Sequence, residues 1–369
     1  MLDEIRAILS DPGVLGDDAW NVGDDVDLRS FGLGSMQMVQ ILVEIEERFG
    51  IEIPDEKLVP ETFSTIDSIV AAVASVRVSV TRVDVDPIGK EVEGVTAGSG
   101  GLTVMTDRQT HASGVLLTPR EDERVYTGLR AKLGETFSDE AEEHYTAPPV
   151  IARSISERAG YARSFPQLLG AVHGAPDGGS PVPTDLVLTS AACHHLYPLL
   201  ASRATGGCLS VEAMCYRGEA TAETGRLRSF RMYEVLRYGP ETVVEEWRGQ
   251  ALTTAEQLLR ILGLDVEPCA ANDPFFGRIG KYLASAQQSE QLKWELVATV
   301  EDGIEQAVAS VNYHMEHFGD AFGLRLPDGA VVHSACVAFG LDRILLALRH
   351  QHGQRADGWP ASIRAVLGL

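Results

Sequence analysis

Cysteine is missing from this chain before position 193, and the five that follow, Cys193, Cys208, Cys215, Cys269 and Cys336, are odd in number and widely spaced. That excludes the even, regular set of a disulfide-stapled secreted domain and leaves burial or metal ligation as their use. Long apolar runs are missing too. No stretch reaches the roughly 18 residues of a bilayer span, and the opening MLDEIRAILS lacks the basic start and apolar centre of a secretory signal. The expectation is a cytoplasmic protein with no membrane partner. Positive charge is scarce, with 31 Lys and Arg against 53 Asp and Glu and a net charge of −22, so the electrostatic footprint of a nucleic-acid binder is lacking. Neither GxGxxG nor GxxxxGK[ST] occurs. A dinucleotide fold and a P-loop are therefore unsupported, and any phosphate must be handled by side chains.

What is present is ordinary for a soluble globular chain: 44% apolar residues and a length of 369, enough for two domains. The charge is uneven. Residues 1–75 hold 16 acidic and 4 basic side chains, net −12, over half of the whole excess. This marks a separate acidic module. Within it Met38, Ile41, Leu42, Ile45 and Phe49 recur at helical spacing, with Gln37, Gln40, Glu44 and Glu47 on the opposite face and Gly50 as the stop. Helices over Leu2 to Leu9 and Ile66 to Val73, with Pro54 and Pro60 between, complete an expected four-helix bundle.

Ser35 at the start of the central helix has a purely structural reading as an N-cap. The segment DLRSFGLGSMQMVQILVEIEERFGIEIP nevertheless resembles the carrier-protein family, over residues 1 to about 75. The resemblance implies that Ser35 receives a 4′-phosphopantetheine arm from a phosphopantetheinyl transferase and that partner enzymes read the acidic helix after it. The family's usual aspartate before the serine is replaced here by Gly34. A small neighbour leaves the hydroxyl accessible, and a helix N-terminus favours the negative charge of a phosphodiester.

Residues 76–101, VRVSVTRVDVDPIGKEVEGVTAGSGG, change to a valine-rich polar pattern ending in glycines and read as a linker, flexible enough to span about 25 to 30 Å. An edge strand over VRVSVTRVDVD is the other reading. From residue 102 to 369, helical stretches such as PPVIARSISERAGYA and TTAEQLLRIL alternate with strand-like DLVLTS and VVHSACVAFG, an α+β pattern.

Phosphate chemistry is concentrated in three segments. In MCYRGEATAETGRLRSFRMYEVLR, Arg217 and Glu219 are two apart and share one strand face. A loop with Arg226 and Arg228 follows, and Phe230 begins the return strand. Such a hairpin would set Arg217 against an α-phosphate, Glu219 against an adenine amino group and Phe230 under its ring. In CVAFGLDRILLAL, Arg343 opens an apolar helix where it can reach a terminal phosphate. In GYARSFPQLLGAV, a helix ends near Pro166 like a dimer-forming element. In order, these resemble motifs 2, 3 and 1 of class II aminoacyl-tRNA synthetases, whose fold implies an antiparallel sheet flanked by helices and a homodimer.

Cys193, Glu234 and Cys336 fall on or beside the expected core strands. Two thiolates and a carboxylate suit Zn²⁺, and three protein ligands leave a fourth position open, as in working zinc sites. Buried free cysteines are the other reading. His194, His195, His314 and His317 are left outside the metal shell, because lone histidines mostly serve structure. Asp273 in ANDPFFG is a candidate for the amine side of a substrate, or a turn cap before Pro274.

The segments SFPQLLGAV, TSAACHHLYP, FRMYEVLRYG, ANDPFFGRIGKYLASAQQSEQLKWEL, NYHMEHFGDAF and HSACVAFGLDRILLAL together resemble the amino acid:[carrier protein] ligases, relatives of the atypical seryl-tRNA synthetases of methanogens. The resemblance implies zinc on Cys193, Glu234 and Cys336, ATP with Mg²⁺ on the arginines, and a small amino acid such as glycine or alanine. Activation as an aminoacyl-adenylate and transfer to a phosphopantetheine thiol are the implied steps, on this chain's own carrier or on a separate one. Two other readings stand beside it. A degenerate synthetase-like amino-acid sensor with an unmodified docking module is opposed by the intact Arg217, Glu219, Arg343 and ligand positions. A true tRNA synthetase would need a basic RNA-binding surface, which the acidic first module is not.

Overall fold

The computed structural model describes residues 1–11, 14–31, 33, 35–79, 114–175, 178–203, 206–219, 223–273, 284–288 and 291–369. The chain divides into two compact units, Met1–Gly101 with Asn272–Glu290, and Leu102–Ala271 with Gln291–Leu369.

In the first unit, α1 (Leu2–Leu9), α2 (Ser35–Phe49) and α3 (Ile66–Ser79) enclose one apolar core. Met38, Ile41, Leu42 and Ile45 are all buried, the i, i+3, i+4, i+7 stripe of an amphipathic helix. Each fully buried Ile or Leu contributes about 1.5–3 kcal/mol by leaving water. Gly50, at φ +59, closes α2 in a conformation that glycine adopts without a Cβ clash. The expected four-helix bundle is not what the described residues show. They hold three α-helices and four 3₁₀ turns, at Gly16–Trp20, Leu28–Phe31, Asp55–Lys57 and Pro60–Phe63. Pro54 and Pro60 divide the stretch where a further helix would run, and neither piece is long enough for a stable α-helix. Residues 76–79 of the expected linker belong to α3, and the rest of it lies outside the described residues. Ala286, from the Asn272–Glu290 part of this unit, is fully buried in the same core cluster as Ile5, Ile41 and Ile69.

The second unit begins with α4 (Arg120–Thr136), β1 (Glu143–Ala147), β2 (Val150–Ala152) and the short helices α5 (Arg153–Arg158) and α6 (Tyr161–Ser164). The VIA segment of the expected helical stretch is thus strand rather than helix, because the β-branched pair and the prolines just before it favour extended backbone. There follow β3 (Ala171–Gly174), β4 (Val182–Leu188), α7 (Tyr197–Leu200), β5 (Gly207–Tyr216), β6 (Ser229–Gly239), α8 (Glu241–Ile261), β7 (Glu267–Ala270), β8 (Lys293–Glu301) and β9 (Ile304–Met315). The unit ends with α9 (His317–Phe322), β10 (His333–Gly340), α10 (Leu341–His352) and α11 (Ala361–Leu367). A seven-stranded sheet runs β1-β5-β6-β10-β9-β8-β7, antiparallel except for the parallel β1–β5 edge, and β2-β4-β3 form a small second sheet.

Both faces of the large sheet are covered. Tyr233, Val235, Ala335, Val337 and Phe339 face α4, α8 and α10 in one core cluster, while Leu236, Tyr238 and Cys336 face Cys193, Tyr197, Phe318 and Phe322 in another. The period of two along β6 and β10 decides which residues reach which face. The second face carries the candidate chemistry.

Candidate zinc and nucleotide site

Strand register brings the first two acidic groups together. On β6 and β10, Cys336 stands opposite Leu236 and Ala338 opposite Glu234, so Cys336 and Glu234 are diagonal neighbours on one face. Cys193 arrives from a 3₁₀ turn, Ala192–His195, after β4. The backbone N–H of Ala192 donates to Glu234 Oε1 at 2.7 Å and fixes that turn against β6. The ligand atoms of Cys193, Glu234 and Cys336 all lie within 4.8 Å of one another. Their residues are 4%, 2% and 3% exposed.

Burial pushes the Glu234 carboxyl up to about 7, with the Cys336 sulfur adding to the effect, against hydrogen bonds from Cys193 and the backbone N–H groups of Ala192 and Cys193. Cys336 is held well below the usual thiol range, foremost because Cys193 donates to it, and Cys193 is pushed correspondingly up. Among the described residues no Lys or Arg forms an ion pair with any of the three. Three buried acidic groups gathered without a cation are costly to ionise, and a divalent ion removes that cost. The soft–hard donor set S₂O fits zinc with one position open. Cys208 lies on the helix-covered face, Cys215 is buried outside the cluster and Cys269 is exposed.

The candidate ATP-binding residues Arg217, Glu219, Arg226 and Arg228 fall between β5 and β6. Here β5 stops at Tyr216, so Arg217 and Glu219 are not on the strand itself but just past its end. The turn leaves the ladder there because the backbone N–H of Gly218 donates to Leu168 O instead of to β6, although Arg217 N–H still reaches Arg228 O at 2.9 Å. The Arg217 guanidinium stands 5.3 Å from the centre of the Phe230 ring. Arg343 is in the first turn of α10, its Nε donating to Gly225 O at 2.9 Å and its Nη1 to Ala307 O at 2.9 Å. Burial brings its pKa down to about 10, helped by the charges of Arg217 and Arg226 and opposed by Glu295 and Glu219. The positive charges of Arg217 and Arg226 acting on Arg343 favour a bound anion there. Arg226 is also paired with Glu223 at 2.7 Å. Among the described residues, the buried Nε of Arg228 has no hydrogen-bond partner.

Ser35 is the first residue of α2, and Gly34 lies outside the described residues. Asp273 belongs to the first unit, where its backbone N–H donates to Gln287 Oε1 at 2.6 Å and its Oδ2 accepts from Gln287 Nε2 at 2.9 Å. Two contributors, Asp342 and Asn312, were not singled out in the sequence, and a third, His314, was set aside there as structural. Asp342 binds Arg231 and Tyr126, and Asn312 and His314 both reach Cys336. The only sequence signal for Asp342 was a charged residue next to Arg343 at the head of an apolar helix.

The sequence model of the phosphopantetheine attachment site matches residues 3–73. Amino acid--[acyl-carrier-protein] ligase 1 of Bradyrhizobium diazoefficiens is 41% identical over 246 residues, 60% of this chain and 75% of that protein. The chain belongs to the amino acid--[acyl-carrier-protein] ligase family. The ligase is also 29% identical over 163 residues to the type-2 serine--tRNA ligase of Methanococcus aeolicus, 42% of this chain and 31% of that one. Its fold is similar to that of the M. kandleri seryl-tRNA synthetase solved in complex with A. aeolicus tRNASec, with a TM-score of 0.58 at 19% identity over 82% of this chain and 68% of that chain. Among the described residues of the ligase, no helix is long and apolar enough to cross a membrane.

Proposed function

We propose that this ligase activates a small amino acid with ATP and loads it onto the phosphopantetheine thiol carried by Ser35 of the same polypeptide. The observation that carries the reading is the buried Cys193–Glu234–Cys336 cluster, on the same sheet as an arginine-lined turn. Zinc held by the three residues would take the neutral amine of the amino acid at its open position and leave the carboxylate free. The protein's own groups do the rest. Arg217 and Arg343 offset phosphate charge while the amino-acid carboxylate oxygen attacks the α-phosphorus and pyrophosphate leaves, and Mg²⁺ brought in with ATP would add to that neutralisation. Arg343 enters this step with its guanidinium already oriented by the carbonyls of Gly225 and Ala307, so no reorganisation is needed when charge develops. Glu219 and Phe230 would read the adenine, and Arg226 and Arg228 the remaining phosphates. Asp273 is the proposed contact to the amine side of the substrate.

In the second step the phosphopantetheine sulfur attacks the adenylate carbonyl, AMP leaves and a thioester forms. Division into a carrier that ends with α3, a linker over what remains of 76–101 and a ligase domain from residue 102 onward would keep donor and acceptor on one chain. A linker of that length raises the local carrier concentration to about the millimolar range.

The test is amino-acid-dependent pyrophosphate exchange across the twenty amino acids, followed by intact mass of the holo-protein. Exchange with small amino acids and a mass gain equal to the arm plus one residue are expected. An absence of exchange with every amino acid would refute the reading.

A further inference from the structure

An irregularity in β9 has no part in the reaction just described. Asn312 stands opposite Cys336 and Tyr313 opposite Ala335, but then the register shifts and Met315, not His314, stands opposite Ser334. His314 is the extra residue of a β-bulge, and Met315 beyond it has φ +51, a left-handed conformation that side chains other than glycine rarely adopt. Bulges re-aim side chains and are over-represented beside active sites. This one directs the His314 ring at a proposed zinc ligand: Nε2 lies 3.6 Å from Cys336 Sγ. Asn312 Nδ2 donates to the same sulfur at 3.6 Å.

We propose that His314 and Asn312 are positioning residues for Cys336, two N–H donors that orient its sulfur toward the metal and set its strength as a donor. The proposal rests on the zinc reading of the Cys193–Glu234–Cys336 cluster and extends it by one shell. His314 acts through Cys336 because the set of ligand atoms within 4.8 Å of one another does not include it. The far side of the ring selects the tautomer. Nδ1 faces two hydroxyls, Tyr197 Oη at 3.1 Å and Ser334 Oγ at 3.2 Å, and these are 3.2 Å from each other. A hydroxyl that donates to Nδ1 leaves the ring proton on Nε2, facing the sulfur. Tyr197 is held by stacking on Phe318 at 4.2 Å and Phe322 at 5.4 Å, and the His314 ring meets Phe318 edge-on at 4.9 Å. The donor to the sulfur is thus supported from both sides by rigid neighbours, as outer partners of metal ligands generally are.

The full-length protein is loaded with Zn²⁺ and titrated with a competing chelator, and in parallel with Co²⁺, whose thiolate charge-transfer band reports the metal–sulfur bond. His314→Phe keeps the aromatic packing and removes both nitrogens. It should weaken zinc binding about 10–100-fold and shift the cobalt band. His314→Gln, which restores an N–H, should recover most of the affinity. Asn312→Leu tests the second donor and keeps the experiment decisive if His314→Phe does not fold. Wild-type affinity and an unshifted band in the folded variants would overturn the assignment while leaving the zinc site standing. A wild-type protein that takes up neither metal overturns the zinc reading and this assignment with it.

Discussion

The backbone N–H of Arg231 donates to Asp342 Oδ2 at 2.6 Å, and its guanidinium Nη1 donates to Oδ1 at 2.9 Å, so a single buried carboxylate ties β6 to the first turn of α10. The Tyr126 hydroxyl from α4 adds a third bond to Oδ1 at 2.8 Å, and its ring lies 4.2 Å from the Arg231 guanidinium carbon. Phe230 and Arg343, both proposed to hold ATP, are the direct chain neighbours of this pair. The clamp therefore sets the spacing between Phe230 and Arg343.

Removing the Asp342 charge leaves the Arg231 guanidinium with Thr118 Oγ1 and the more distant Glu123 carboxylate, which costs about 1–3 kcal/mol. Asp342→Asn should lower the thermal midpoint and raise the KM for ATP about tenfold or more, with zinc content unchanged. Calorimetry, exchange kinetics and metal analysis on one preparation check this. An unaltered KM would remove the clamp from the ATP site.

Arg343→Ala should lower pyrophosphate exchange about 10²-fold while the metal content stays at the wild-type level. Arg343→Lys should recover little. A lysine has one nitrogen and cannot meet the Gly225 and Ala307 carbonyls while also reaching a phosphate. Exchange rates of the two variants at saturating and limiting ATP provide the measurement.

Ser35→Ala should leave exchange near wild type and abolish aminoacylation of the chain, because the proposed role of the serine is only to anchor the arm. Intact mass after incubation with a phosphopantetheinyl transferase, coenzyme A, ATP and amino acid separates the two steps. A folded wild-type chain that never gains the arm would make the first module a docking domain, with Gly34 as the residue to change first.

His194 is buried edge-on against Tyr161 and Phe318. Burial foremost, then the charges of His314, His195 and His317, lowers its pKa from 6.5 to about 3. The unfolded chain therefore binds this proton more tightly than the folded one. The stability it confers is complete above pH 6.5 and drains away as pH falls toward 3. One such histidine removes about 2 kcal/mol between pH 7 and pH 5. Denaturant midpoints at the two pH values should differ less in His194→Gln than in the wild type, and parallel slopes would exclude His194 as the source.

Local pattern was enough for several elements, and the resemblance carried by the quoted segments for the ligase family. The stripe of Met38, Ile41, Leu42 and Ile45 specified α2 and its buried face, Gly50 specified its end, and an apolar run after Gly340 specified α10. These signals are legible because helical and strand periods act over a few neighbouring residues. They were weakest where punctuation was dense: two prolines between α2 and α3 produced 3₁₀ turns in place of a helix, and the phosphate-side strand ended one residue before Arg217. Residue types named Cys193, Glu234 and Cys336 as possible ligands, but five cysteines and many carboxylates were available. Only the tertiary structure decided which of them meet. Cys336 faces Glu234 because β10 pairs with β6 in a register that sets Cys336 against Leu236, and Cys193 joins them because the Ala192 N–H binds Glu234. The bulge that turns His314 onto Cys336 and the Asp342 clamp on Arg231 were likewise invisible in the chain. Each depends on pairing between segments far apart in sequence, and a one-residue slip in any of those ladders would send the same side chains to the opposite face of the sheet.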